Sequence, residues 1–137
     1  MESMKVGLDT SVVMRLLTGE PEAQARHALE EVQELTGHGT ALLVSDLVVA
    51  EVYFALQYHY GVPKAEALRL IGKFLADSGV KALGVATTVL MVPNLASANP
   101  GFVDRLIHAE YMHFVKEIIT FEKAGARLTG VRVLHDS

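Results

Sequence analysis

Four carboxylates sit where short segments of the chain change character. Asp9 directly follows the apolar run KVGL (5–8), and Glu122 directly follows EIITF (117–121). Glu51 is the single charge in LVVAEVYFAL (47–56), a run of apolar and aromatic side chains. Asp104 falls in the first turn of a segment that starts near Gly101 and carries apolar residues at helical spacing. Oxygen ligands in a chain without cysteine select a hard cation, Mg²⁺ or Mn²⁺, over zinc. Such a cation answers the mutual repulsion of clustered carboxylates, lowers the pKa of a bound water and stabilises charge on a phosphoryl oxygen. That is chemistry for hydrolysing a phosphodiester bond.

Each acid also has a plainer explanation. Asp9 can cap a helix N-terminus. Asp104 can be an acid favoured by the helix dipole, and so can Glu122, with Thr120 capping. Glu51 is harder to dismiss. Val48, Val49, Ala50, Val52, Tyr53 and Phe54 leave it no obvious solvated face. A buried, unpaired carboxylate costs roughly several kcal/mol. Its plainer explanations are an Arg or Lys partner from elsewhere, or one wet helix edge. The histidines are scattered and form no HxxxH pair. His27, His38 and His59 read as surface or turn residues, and His108 and His113 as residues that complete a helix face.

The elements that must position these acids follow from hydrophobic period and from Gly and Pro punctuation. KVGL (5–8) reads as a buried strand that turns at Asp9 and Thr10 into a short helix stopped at Gly19. The stretch from Glu20 to Gly39 reads as a helix, with Pro21 in its first turn and Ala25, Leu29, Val32 and Leu35 in period. TALLV (40–44) is the next strand. Ser45 then caps a helix that holds Glu51 and runs to about Tyr60. Lys64 to Ala76 is helical, with Ala67, Leu70, Ile71 and Phe74 on one face. VKALGV (80–85) can form a short strand. ATTVLMVPNLASANPG (86–101) supports either a strand or a helix broken near Pro93.

A helix from Gly101 to Val115, a strand at 117–121, a short helix or loop at 122–130 and a last strand at 131–134 complete the chain. Four to five short strands separated by helices make an α/β fold with a parallel sheet and right-handed crossovers. In such sheets functional groups gather beyond the carboxyl ends of the strands, which is where Asp9 and Glu122 fall.

The 137 residues suit a single domain (1–137, core about 4–134), and half of them are hydrophobic, enough for a core without staples. With no cysteine, neither a disulfide framework nor a thiolate metal site is possible. The net charge of −4 offers no global basic field, although a bound cation and a local Arg/Lys patch can still hold phosphates. No apolar run reaches the roughly 18 residues a membrane span needs, and the N-terminus is a poor signal peptide. A soluble, cytoplasmic protein is the expectation.

In four blocks the chain resembles PIN-domain proteins, and within them the VapC-like ribonuclease toxins of VapBC toxin–antitoxin pairs. The blocks are LDTSVVMRLL (8–17), VSDLVVAEVYFAL (44–56), GFVDRLIHAEY (101–111) and IITFEKAGARLTGV (118–131), in family order from residue 4 to about 134. The resemblance implies a three-layer α/β/α sandwich around a short parallel sheet, with acidic residues binding Mg²⁺ or Mn²⁺. By position, Asp9, Glu51 and Asp104 match the three core acids. Thr10 and Ser11 fall in the hydroxyl stretch after the first acid, near metal or substrate. Glu122 stands where most members carry Asp, so it is the doubtful fourth ligand, direct or through water. Arg15, Arg105 and Lys123 each lie near one of these acids and are candidates for holding RNA phosphate. The resemblance further implies an RNA substrate, a homodimer and a cognate antitoxin.

Three other readings compete. A PIN-like domain with weak or lost activity would serve as an RNA-binding or assembly module, and Glu122 is its best support. A response-regulator receiver also has acids at a strand end, but only one Asp follows the first strand here and no lysine follows a late strand where one is expected. A dinucleotide-binding fold lacks its glycine-rich loop after the first strand.

Overall fold

A computed structural model describes residues 4–135. The chain divides into two compact units, the first ending at Thr87 and the second starting at Thr88.

The first unit is built on three parallel strands, β1 (Lys5–Gly7), β2 (Ala41–Val44) and β3 (Val80–Ala82), paired in the order β1-β2-β3. Val6 lies opposite Leu42, and Leu42 opposite Val80. Two helices fill each crossover. α1 (Thr10–Thr18) and α2 (Glu22–Gly37) join β1 to β2, and α3 (Asp46–Tyr58) and α4 (Lys64–Asp77) join β2 to β3. The local chemistry sets these boundaries as expected. Gly19 adopts φ 71°, where a Cβ is disfavoured, and its N–H closes α1 on the Arg15 carbonyl at 2.9 Å. Ser45 Oγ accepts from the Val48 N–H at 3.2 Å and starts α3. The core runs along the central strand β2, where Leu42 and Val44 are each 2% exposed, and continues through Val49, Val52, Leu56 and Ile71. Each such side chain contributes about 1.5–3 kcal/mol on burial. α2 differs from the other long helices: none of its 16 residues is buried.

The β3 strand is shorter than the 80–85 expected, and the ambiguous stretch after it forms a helix, α5 (Ala86–Leu90). One carboxylate accounts for both. Asp46, in the first turn of α3, accepts from the Val85 N–H at both oxygens, 3.0 and 3.1 Å, and from the Ala86 N–H at 3.1 Å. Those amides therefore leave the ladder and begin α5 instead. Gly84 lets the carboxylate in, because a Cβ there would lie 2.2 Å from Asp46 Oδ2.

In the second unit a 3-10 turn at Leu95–Ser97 leads to α6 (Phe102–Tyr111), then to β4 (Ile118–Thr120), a 3-10 turn at Lys123–Arg127 and β5 (Val131–Val133). Phe102 and Leu106 are buried there, 1% and 4% exposed. β4 and β5 pair parallel, Ile118 opposite Val131, as a two-stranded sheet. The described strands thus number five, as three and two rather than in one paired sheet. α6 stops at Tyr111, short of the expected Val115. The Phe114 and Val115 N–H groups both turn back to the Tyr111 carbonyl, at 2.8 and 2.9 Å, and close the helix without a glycine or proline. Gly125 is buried in the 3-10 turn, where a Cβ would come within 2.9 Å of Thr120 Cγ2 and 3.2 Å of Val131 Cγ1. The turn can lie against the two strands only because that methyl is missing.

Candidate active site

Asp9 occupies the N-cap position of α1, two residues beyond the end of β1. Its backbone has the extended conformation of a cap, but its carboxylate makes no capping hydrogen bond. The capping explanation therefore does not account for this side chain. Next to it, the Thr10 hydroxyl oxygen is buried with no hydrogen-bond partner among the described residues. An orphaned buried hydroxyl is uncommon and leaves an oxygen donor free for a ligand. Ser11 is exposed and lines a separate cavity between β1, α1 and α2, together with Arg15. The Arg15 Nε donates to Gln24 Oε1 at 2.9 Å, so this guanidinium already has a protein partner.

Glu51 departs from expectation. It is exposed, not buried. α3 turns its buried residues, Val49, Val52, Tyr53 and Leu56, to one side. Glu51 lies on the opposite face with Leu47, Phe54 and Tyr58, at helical spacing, and all three are exposed, Leu47 at 72% and Tyr58 at 79%. Of the apolar neighbours that suggested burial, Val49, Val52 and Tyr53 are buried on the far side of the helix, and Phe54 is exposed on the face of Glu51. Glu51 has the wet helix edge, with no Arg or Lys partner among the described residues. Asp46, which the sequence reading did not single out, is the carboxylate of α3 that the fold engages. Its partners lie 39 and 40 residues away, and no local pattern signals them.

In the second unit Asp104 and Glu122 line one cavity of about 120 Å³. Asp104 stands in the first turn of α6, and Glu122 takes the N-cap position of the 3-10 turn after β4. Neither carboxylate makes a hydrogen bond or ion pair among the described residues; the Thr120 hydroxyl instead accepts from the Glu122 backbone N–H at 3.0 Å. His108, one turn after Asp104, lines the same cavity. Its Nε2 lies 2.6 Å from the Thr129 carbonyl, which fixes the proton on that nitrogen because a carbonyl can only accept. Arg105 is tied by Nε to the Pro100 carbonyl at 2.7 Å. Lys123 makes no hydrogen bond or ion pair among the described residues.

The donor chemistry fits a hard divalent cation: four exposed carboxylates and one buried hydroxyl oxygen, none with a partner among the described residues. The grouping is less complete. Among the described residues no three His, Asp or Glu side chains are gathered closely enough to hold a metal ion. Asp9 and Glu51 belong to the first unit, Asp104 and Glu122 to the second.

No helix among the described residues is long and apolar enough to cross a membrane. No curated protein shows significant similarity to the chain. Residues 6–127 match the PIN domain family, a span that includes all four acids. The chain belongs to the PIN-domain family, whose members are generally nucleases.

Proposed function

We propose that the protein is a metal-dependent endoribonuclease and the toxin of a VapBC-type toxin–antitoxin pair. The observation that carries this is the state of the four acids within the family match: each is exposed, and none makes a hydrogen bond or ion pair among the described residues. Asp9, Glu51 and Asp104 would hold Mg²⁺ or Mn²⁺, with Glu122 bonding directly or through water. When bound, such a cation would supply charge stabilisation at the phosphoryl oxygens and a water of lowered pKa. A neighbouring carboxylate would accept the proton that the attacking water gives up as the new P–O bond forms and the P–O bond to the leaving ribose oxygen breaks, that oxygen taking a proton from solvent. The Thr10 hydroxyl adds an oxygen donor beside Asp9, and Ser11 follows it. Lys123, without a partner among the described residues, is the readiest cation for an RNA phosphate, while Arg15 and Arg105 must share their guanidinium groups with Gln24 and Pro100. Association with a second copy and with an antitoxin is supported by the exposed stripe Leu47, Phe54 and Tyr58 on α3 and by the unburied α2.

A second reading has its own support. Glu122 replaces the family's usual Asp, and no three acids are gathered among the described residues. A PIN domain of weak or lost activity, binding RNA or serving in an assembly, is consistent with both. Single-stranded RNA incubated with the purified chain and Mn²⁺ separates the two. The nuclease reading expects cleavage that EDTA stops and that Asp9→Asn removes without changing thermal stability. Full cleavage by Asp9→Asn exposes a contaminant or a wrong site; RNA binding without cleavage supports the second reading.

A further inference from the structure

We propose that the cavity lined by Asp104 and Glu122 is a subsite for one nucleobase of the RNA, sized for a pyrimidine; the RNA part of this rests on the nuclease reading above. Its volume of about 120 Å³ equals the space of roughly four waters and lies well below the ~300 Å³ at which drug-sized ligand sites begin. That is room for one ring. The lining is mixed in the way a base requires. Ile107, Ile118, Leu128 and Val131 offer apolar surface for a ring face, while Thr120 and His108 offer polar atoms for a ring edge. Without a cation a phosphate is a poor occupant, because Asp104 and Glu122 then place unanswered negative charge beside it. The donor groups of a pyrimidine edge, the exocyclic amine of cytosine or the ring N3–H of uracil, meet the same carboxylates as donors meet acceptors.

The walls are held before any ligand arrives. The bond from His108 to the Thr129 carbonyl, 2.6 Å, ties α6 to the segment before β5. Gly125 lets the 3-10 turn approach Thr120 and Val131 closer than any side chain would allow. A preorganised pocket loses less entropy on binding. Because Asp104 and Glu122 belong both to this cavity and to the proposed cation site, the base held here would flank the phosphate that is cut. The cavity would then set which nucleotide borders the cleavage point.

The test uses nucleosides with the full chain and no divalent cation, read by NMR. Cytidine and uridine are expected to give saturable shifts at Ile107, His108 and Thr120, and adenosine and guanosine much weaker ones. Ile107 is half-exposed, so Ile107→Trp can close the cavity mouth without burdening the core, and it is expected to abolish the shifts. Ile107→Ala, which enlarges the cavity, is expected to admit the purines. In a second arm, single abasic sites are moved along a cleaved RNA, and one position beside the cut should lose about tenfold in rate, the order of one stacked base. Shifts that do not saturate, that ignore both Ile107 variants or that favour purines in the unmodified chain overturn the proposal. Cleavage with a flat abasic scan also overturns it but leaves the nuclease reading intact. Saturable pyrimidine binding in a chain that cleaves no RNA sustains the subsite and overturns the nuclease reading.

Discussion

The first turn of α3 and its exposed face carry two carboxylates five residues apart, and the fold treats them in opposite ways. Asp46 gives both oxygens to the Val85 and Ala86 amides and fastens α3 to the start of α5. Glu51 gives its oxygens to no described residue and stands on the surface among Leu47, Phe54 and Tyr58. Both occur in the same apolar helix, so apolar company does not distinguish them. What distinguishes them is whether the backbone has a use for the charge. Asp46 is scaffold by that criterion, and Glu51 is available for a ligand.

The largest effect expected from this contrast is in activity. Glu51→Gln should lower Mn²⁺-dependent RNA cleavage by about 10²-fold or more, ~2.7 kcal/mol of transition-state stabilisation, with the thermal midpoint unchanged. A lowered midpoint with normal cleavage would reverse the roles assigned to the two acids. Next come changes at the clamp. Gly84→Ala puts a methyl 2.2 Å from Asp46 Oδ2 and should destabilise the chain by about 3 kcal/mol in urea unfolding. Asp46→Ala leaves two amides unpaired and should cost about 2 kcal/mol. A neutral result for both would show that the Asp46 contacts do not matter to stability. The smallest effect concerns Glu66 on α4, a half-exposed carboxylate that is also engaged. Hydrogen bonding to Arg69 holds its carboxyl below the ordinary 4.5. A lowered folded pKa means the pair contributes above the unfolded value and loses that contribution as pH falls through the folded one. Glu66→Gln should therefore differ from the unmodified chain slightly at neutral pH, not at all in acid, and less in high salt. A difference that grows in acid contradicts that assignment.

The same contrast marks what the sequence could reveal. Signals carried by a residue's immediate neighbours were legible: Gly19 ending α1, Ser45 opening α3, and the helical period of α4. The positions of Asp9 and Glu122 just past β1 and β4 were legible too, because they follow from strand ends. The exposure of Glu51 was not, since an apolar side chain is free to lie on either side of a helix and Leu47, Phe54 and Tyr58 lie outside. Nor were the partners of Asp46 or the bond from His108 to Thr129, which join residues far apart in the chain. The early end of α6 had no glycine or proline to announce it.

Titration of the full chain with Mn²⁺, followed by electron paramagnetic resonance, tests the central claim most directly. Loss of the free-ion signal at a saturable site is expected, together with its weakening by Asp9→Asn, Glu51→Gln and Asp104→Asn and its persistence in Glu66→Gln, where the carboxylate already has a protein partner. A chain that leaves the Mn²⁺ signal unchanged, or whose binding ignores all three acids, would contradict the account.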